Sequence, residues 1–398
     1  MKLLDIISNE STRREQFPVV AERIFMGHAG VAPLPKVAVD AMAEYCARGS
    51  VGPQENAWSN GQMLKARQTS ARLIGATADE IVLLGPTSLG LSLVANGMPW
   101  QAGDEVVFYA DDYPANVYPW TGLEEKGVRP VRVQPIAPGL ITWDAIESVL
   151  TSRTRLVSLA SCHFLSGYRT DIDEIGRRLH ERDVLFCVDG IQTLGAFPLS
   201  VAHVDFLSAD SHKWLLGPMG AGIVFIKKEH QEMLRPSLLG SWNVVSPGFV
   251  TQEVLQYESG GRRYEPGALN MPGIIGMLAS MELLMSTGVD AIGERLLALR
   301  RALLAHLRDS GYSTFAESGA NNAAMLDSIS AAEPWASGIV TVAHPDKDMR
   351  AIYKSLENAG IVASLRQNRK GTFFIRFSPH FYNTEEEVDR VASAMAAG

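Results

Sequence analysis

The chain has 398 residues, 46% hydrophobic and 20% charged, enough apolar material for a large core and a second, smaller unit. A net charge of -8 argues against nucleic acid as the main partner. Cys46, Cys162 and Cys187 lack paired spacing, so neither a disulfide framework nor a metal site is expected, and a reducing cytoplasm fits. The acid in Met1-Lys-Leu-Leu-Asp5 argues against a signal peptide. No apolar run approaches the roughly 20 residues of a membrane span, so no membrane partner is expected.

In chain order, Glu80–Leu84 reads as a strand, Ser88–Met98 as a helix and Glu105–Tyr109 as a strand. Arg155–Ala160 is a further strand, followed by an amphipathic helix from about Asp171 to Arg182. Val184–Val188, Phe206–Ser208 and Gly222–Ile226 complete a strand set. Continuous apolar strands between helices predict an α/β fold with a mainly parallel sheet covered on both faces. Ligands then bind beyond the carboxyl ends of the strands, where Asp189, Cys162-His163 and Asp111-Asp112 fall.

Past about residue 265 the pattern changes. A long helical stretch covers Ile274 to about Leu307, then Gly338–Ala343, Ile361–Leu365 and Thr372–Phe377 read as strands around a helix at Met349–Asn358. Thr384 and Glu387 form a capping box that opens a last helix. This predicts a smaller α/β domain built from 1–25 and 266–398, beside a large domain at 26–265. Ser310–Trp335, rich in Ala, Ser, Gly and Asn, reads as a variable or mobile segment.

Lys213 is the residue with most chemical meaning. It lies between Phe206-Leu and Trp214-Leu-Leu, and apolar surroundings depress a lysine's pKa and make it a usable amine. Asp189 ends the strand Val184–Val188, with Gln192 shortly after. A lysine for a Schiff base and a carboxylate for a ring nitrogen are what pyridoxal 5'-phosphate (PLP) requires. Thr87 and Ser88 stand between a strand and a helix, either as a phosphate cradle or as simple N-caps. His212 serves a phosphate or packs in the core. Tyr113 stacks on a ring or packs a proline-flanked loop. Arg376 sits in the apolar strand Phe373–Phe377 and must find an anion, either a substrate carboxylate or a structural acid.

Together these features resemble the class V aminotransferase superfamily of fold-type I PLP enzymes, which includes cysteine desulfurases and isopenicillin N epimerase-like proteins. The resemblance runs from Phe25-Met-Gly-His28-Ala-Gly through Val188-Asp-Gly-Ile-Gln192 and Ser211-His-Lys213-Trp to Ile375-Arg-Phe-Ser-Pro-His-Phe-Tyr-Asn-Thr384. It implies Lys213 as the Schiff-base lysine and proton shuttle, Asp189 on the ring nitrogen and Gln192 on the phenolic oxygen. It places Thr87, Ser88 and His212 on the phosphate, Tyr113 at the stacking position, and Arg376 on the substrate carboxylate. A homodimer with shared active sites is also implied.

Several positions depart from the family pattern. Desulfurases carry a nucleophilic cysteine where Ala363–Gly371 here has none, so persulfide transfer is expected to be excluded. Ala268 replaces a threonine that contacts phosphate across the dimer, and Phe164 falls where desulfurases use asparagine. His28 stands where relatives often have asparagine and is expected to face the substrate; His163, Trp242 and Arg262-Arg263 are further specificity candidates. The expected function is PLP-dependent chemistry at the α carbon of a small amino acid. The leading expectation is an aminotransferase, ahead of a β-eliminating C–S lyase, an epimerase or a non-catalytic PLP binder.

Overall fold

In the computed structural model, which describes residues 2–397, thirteen strands follow one another along the chain. They are β1 (Ile24–Phe25), β2 (Ile81–Val82), β3 (Glu105–Tyr109), β4 (Arg129–Val133), β5 (Thr154–Ala160), β6 (Leu185–Asp189), β7 (Phe206–Asp210), β8 (Gly222–Ile226), β9 (Ser313–Thr314), β10 (Val340–Ala343), β11 (Ile361–Val362), β12 (Ser364–Gln367) and β13 (Phe373–Phe377). Seven form one sheet in the order β2-β8-β7-β6-β5-β3-β4. From β7 to β4 all neighbours are parallel, while β8 runs antiparallel to both β7 and β2.

The strand sequences explain this layout. β3, β7 and β8 bury every residue, which suits near-continuous apolar runs covered by helices on both faces. β4 was not among the expected strands. Its sequence, Arg-Pro-Val-Arg-Val, breaks the apolar run, and an edge strand tolerates Pro130 because one side of its ladder is unpaired.

A second, antiparallel sheet has the order β12-β13-β10-β9, and β1 pairs in parallel with β11. The long helical stretch is two helices, Met271–Thr287 and Val289–Asp309, meeting at 80° where Gly288 adopts φ +100°. The first buries Met271, Ile274, Met277 and Leu284 in the core of the large sheet. The second gives Ile292 and Leu296 to that core, and Leu299, Leu303, Leu304 and Leu307 to the core beneath the small sheet. The Ser310–Trp335 segment contains two short helices, Phe315–Gly319 and Ala323–Ala331, opened by Thr314 and Asn322 caps. The Thr384–Glu387 capping box is formed: each residue's side chain accepts from the other's amide, at 3.2 and 3.1 Å. Among the described residues no single helix is long and apolar enough to cross a membrane.

Candidate active site

The carboxyl ends of β6 and β7 lie side by side, and each delivers one of the central groups. Asp189 closes β6, and the turn after β7 carries His212 and Lys213. Lys213 is buried, with Nζ 5.1 Å from the centre of the Tyr113 ring. Burial lowers its pKa to about 8, against the pull of Asp189, while Arg376 and Arg366 add to the lowering. Some neutral amine is therefore available near neutral pH. Asp189 accepts from the Ile191 amide at 3.0 Å through Oδ1, and burial raises its pKa to about 6.

A second buried acid, Asp112, directly precedes Tyr113 in the chain. Burial, then the charge of Asp189, raise its pKa to about 7. It accepts from the Tyr113 amide (2.7 Å) and from Asn116 Nδ2 (3.1 Å). Asn116 Oδ1 in turn accepts from Trp120 Nε1 (3.0 Å) and Ser158 Oγ (2.7 Å). The sequence marked Asp112 only as a residue following a strand.

The helix Thr87–Gly97 follows β2, and its N-cap, Pro86, supplies no side-chain cap. Its first amides are open to an anion. Thr87 anchors that end to β7: its Oγ1 accepts from the Asp210 amide (2.8 Å) and its carbonyl from Ser208 Oγ (3.0 Å). The fit needs Gly90, where a Cβ would come within 2.3 Å of Ser208 Oγ. Ser88 is half-buried at the same end. His212 Nδ1 is held 2.9 Å from Asp210 Oδ2, which fixes the ring and leaves Nε2 available. Gln192 donates to the Ala29 carbonyl (3.1 Å) and accepts from Trp214 Nε1 (2.8 Å), which leaves its second amide hydrogen for a ligand oxygen.

The small sheet supplies the facing wall. Arg376 on β13 is buried and donates through Nη1 to the Phe164 carbonyl (2.8 Å). Its Nε and Nη2 are buried without a partner. Burial, with Arg366 beside it, lowers its pKa to about 9. Arg366 was not singled out from the sequence, though Ser364-Leu365-Arg366 alternates as a strand would and places the arginine on one face with Ser364.

Of the four other substrate-side candidates, the two histidines have their ring nitrogens taken up by protein groups. His28 is fully buried, with Nδ1 2.8 Å from the Ser378 carbonyl and Nε2 2.6 Å from the Tyr382 hydroxyl, so neither nitrogen is left for a ligand. Both neighbours are protein groups because the first loop is hydrogen-bonded to the chain that follows β13. His163 has both ring nitrogens engaged, by Ser166 and by the Asp111 carbonyl. Arg263 is paired with Glu232 at 2.7 Å, and Arg262 donates to the Trp242 carbonyl. Trp242 itself packs beside Trp58. Tyr113, by contrast, lies open at the mouth, edge-on to Phe164.

The groups fit PLP: an amine with lowered pKa, a buried carboxylate near it, an uncapped helix N-terminus, and a buried arginine with two free donor atoms. The comparisons agree. The profile of the family described as aminotransferase class-V matches residues 24–391. A probable cysteine desulfurase of Methanothermobacter thermautotrophicus is 30% identical over 290 residues, covering 71% of this chain and 72% of that protein. An apo cysteine desulfurase from Thermococcus onnurineus NA1 has the same fold, with a TM-score of 0.86, 22% identity and coverage of 98% of this chain and 97% of that one. The cystine C-S lyase C-DES, solved in complex with its reaction product cysteine persulfide, overlays with a TM-score of 0.82 at 22% identity, covering 96% of this chain and 99% of that one. A C-DES variant is solved with glycine covalently linked to its PLP cofactor. PLP is the cofactor of this chain.

These relatives overturn the expected order of functions. Aminotransferase activity was placed first and persulfide-forming desulfurase chemistry excluded, on the missing loop cysteine. The relatives are named for desulfuration and C–S cleavage instead. The loop cysteine was too narrow a criterion, since the lysine, acid and arginine that activate the α carbon are shared by all these reactions.

Proposed function

From the chain's membership of the class V aminotransferase family, whose PLP cofactor it takes, we propose that it breaks the Cβ–S bond of a cysteine-derived amino acid. One observation supports the reading on the protein's side: Asp189 and Arg376 both lie within electrostatic reach of Lys213, and Arg376 keeps two buried donors free. The names of its relatives supply the sulfur.

PLP, when bound, supplies the electron sink that makes the α proton of an amino acid removable. The chain's own residues do the rest. Lys213, with its pKa lowered to about 8, holds and moves the proton at the α carbon. Asp189 keeps a negative charge available opposite the ring nitrogen, where a proton has to stay. The open amides of the Thr87–Gly97 helix, with Thr87, Ser88 and His212, hold the phosphate. Arg376 fixes the α-carboxylate with charge-assisted hydrogen bonds, and so sets which bond of the α carbon stands over Lys213. The departing sulfur then leaves with the electron pair of the Cβ–S bond.

Incubating the purified PLP-loaded protein with L-cysteine and L-cystine tests this. Release of sulfide from L-cysteine, or of cysteine persulfide from L-cystine, each with pyruvate and ammonia, is expected. Amino transfer to a keto acid with no sulfur released would overturn it. A homodimer belongs to the same reading, supported by the exposed apolar residues Leu238, Leu239, Phe249, Val250, Val254 and Leu255. Sedimentation at the mass of a monomer would remove that part.

A further inference from the structure

The wall formed by β12 and β13 holds more cationic donor capacity than one α-carboxylate uses. In the antiparallel register Ser364 lies opposite Arg376 and Arg366 opposite Phe374. Arg366 and Arg376 are thus diagonal neighbours on one face, their backbones roughly 7 Å apart. Thr341 stands opposite Arg376 on its other side, in β10. The alternating residues Leu365, Ile375 and Phe377 pack with the small core, so the arginines face away from it.

The donors on this face are unspent. Arg376 uses Nη1 on the Phe164 carbonyl. Its Nε and Nη2, Nε of Arg366 and Oγ1 of Thr341 are all buried without hydrogen-bond partners. Neither arginine is in an ion pair among the described residues; the nearby Arg369 takes Asp111. The buried Arg376 and the half-buried Arg366 beside it repel each other with no acid between them, and an anion from outside relieves that cost. One carboxylate on Arg376 leaves Arg366 unanswered.

We propose that Arg366 is the receptor for a second anion, carried on the side chain of the amino acid whose α-carboxylate lies on Arg376. The site then selects sulfur amino acids whose side chain bears a carboxylate beyond the sulfur. The sulfur in this statement rests on the C–S cleavage reading; the charge does not.

Dead-end acids without an amino group separate the two. Calorimetry on the PLP-loaded protein compares 3-(carboxymethylthio)propionate, a diacid, with 3-(methylthio)propionate, a monoacid of similar shape. The diacid is expected to bind at least ~10-fold tighter, the worth of one charged hydrogen-bonded pair. Arg366→Gln should erase that advantage and leave the monoacid within about twofold, as the receptor touches only the second anion. Arg366→Lys should restore part of it. Equal affinities in the unaltered protein, or an Arg366→Gln change that weakens both acids alike, overturns the proposal. Turnover then tests the same receptor: a preference for S-carboxymethyl-L-cysteine over S-methyl-L-cysteine, lost in Arg366→Gln, supports it, and no preference overturns it. A diacid advantage without cleavage of any sulfur amino acid keeps the receptor and removes the C–S reading. Cleavage indifferent to side-chain charge does the reverse.

Discussion

The two walls of the pocket are built on opposite terms. On the large-sheet side most polar groups already have a partner: Thr87 on the Asp210 amide, His212 on Asp210, Gln192 on Ala29 and Trp214, Asp112 on Asn116. On the small-sheet side Arg376, Arg366 and Thr341 keep buried donors with no partner. A satisfied network holds its shape with or without a ligand, and suits a resident cofactor. Unsatisfied buried donors cost free energy until an anion arrives, and suit a substrate that comes and goes.

The largest test falls on the satisfied wall. Lys213→Ala should lower turnover by ~10³-fold or more, since it removes both the covalent link and the proton carrier, while the fold stays intact by circular dichroism. Sulfur release above a tenth of the original rate would take the lysine out of the centre. On the other wall, Arg376→Met should lower kcat/KM by about 100-fold through loss of charge-assisted hydrogen bonds to the carboxylate. The same change should leave the melting temperature of the ligand-free protein unchanged or higher, because an apolar side chain replaces a poorly paired buried cation. A clear loss of stability would mean that Arg376 is structural and that the contrast between the walls is false.

A smaller effect comes from pH. Because the Lys213 pKa is lowered to about 8, its neutral fraction grows as pH rises towards 8. Capture of PLP by the ligand-free protein should quicken about tenfold per pH unit below that value and level off above it. Stopped-flow absorbance reads the rate, and a profile still climbing at pH 10 would show an ordinary, solvated lysine. The smallest effect belongs to the exposed Arg369–Asp111 pair between the β12–β13 loop and the large sheet, where Arg369→Ala should change stability by less than ~1 kcal/mol. A larger change in a denaturant titration would make this contact part of what holds the walls together.

The legibility of the two walls in sequence differs for the same reason. Groups at the ends of apolar strands announce themselves, so Asp189, Lys213 and the Thr87 helix start stood out. The strand set was legible from continuous apolar runs, except at β4, where edge position lets Pro130 and two arginines interrupt the pattern. Arg366 was passed over because the expected strand, Ile361–Leu365, ends one residue before it, while β12 runs on, half-exposed, to Gln367. His28 was misplaced for a different cause. Its two partners, Ser378 and Tyr382, lie 350 and 354 positions away, and no local pattern reveals a contact of that range.

The helix Val289–Asp309 has a mechanical consequence. It is one rigid rod embedded at one end, through Ile292 and Leu296, in the core of the large sheet, and at the other, through Leu303, Leu304 and Leu307, in the core of the small one. A spar fixed in both bodies transmits torque but resists stretching. The two walls are thereby tied through a single helix, whose stretch between Leu296 and Leu299 carries the span from one core to the other.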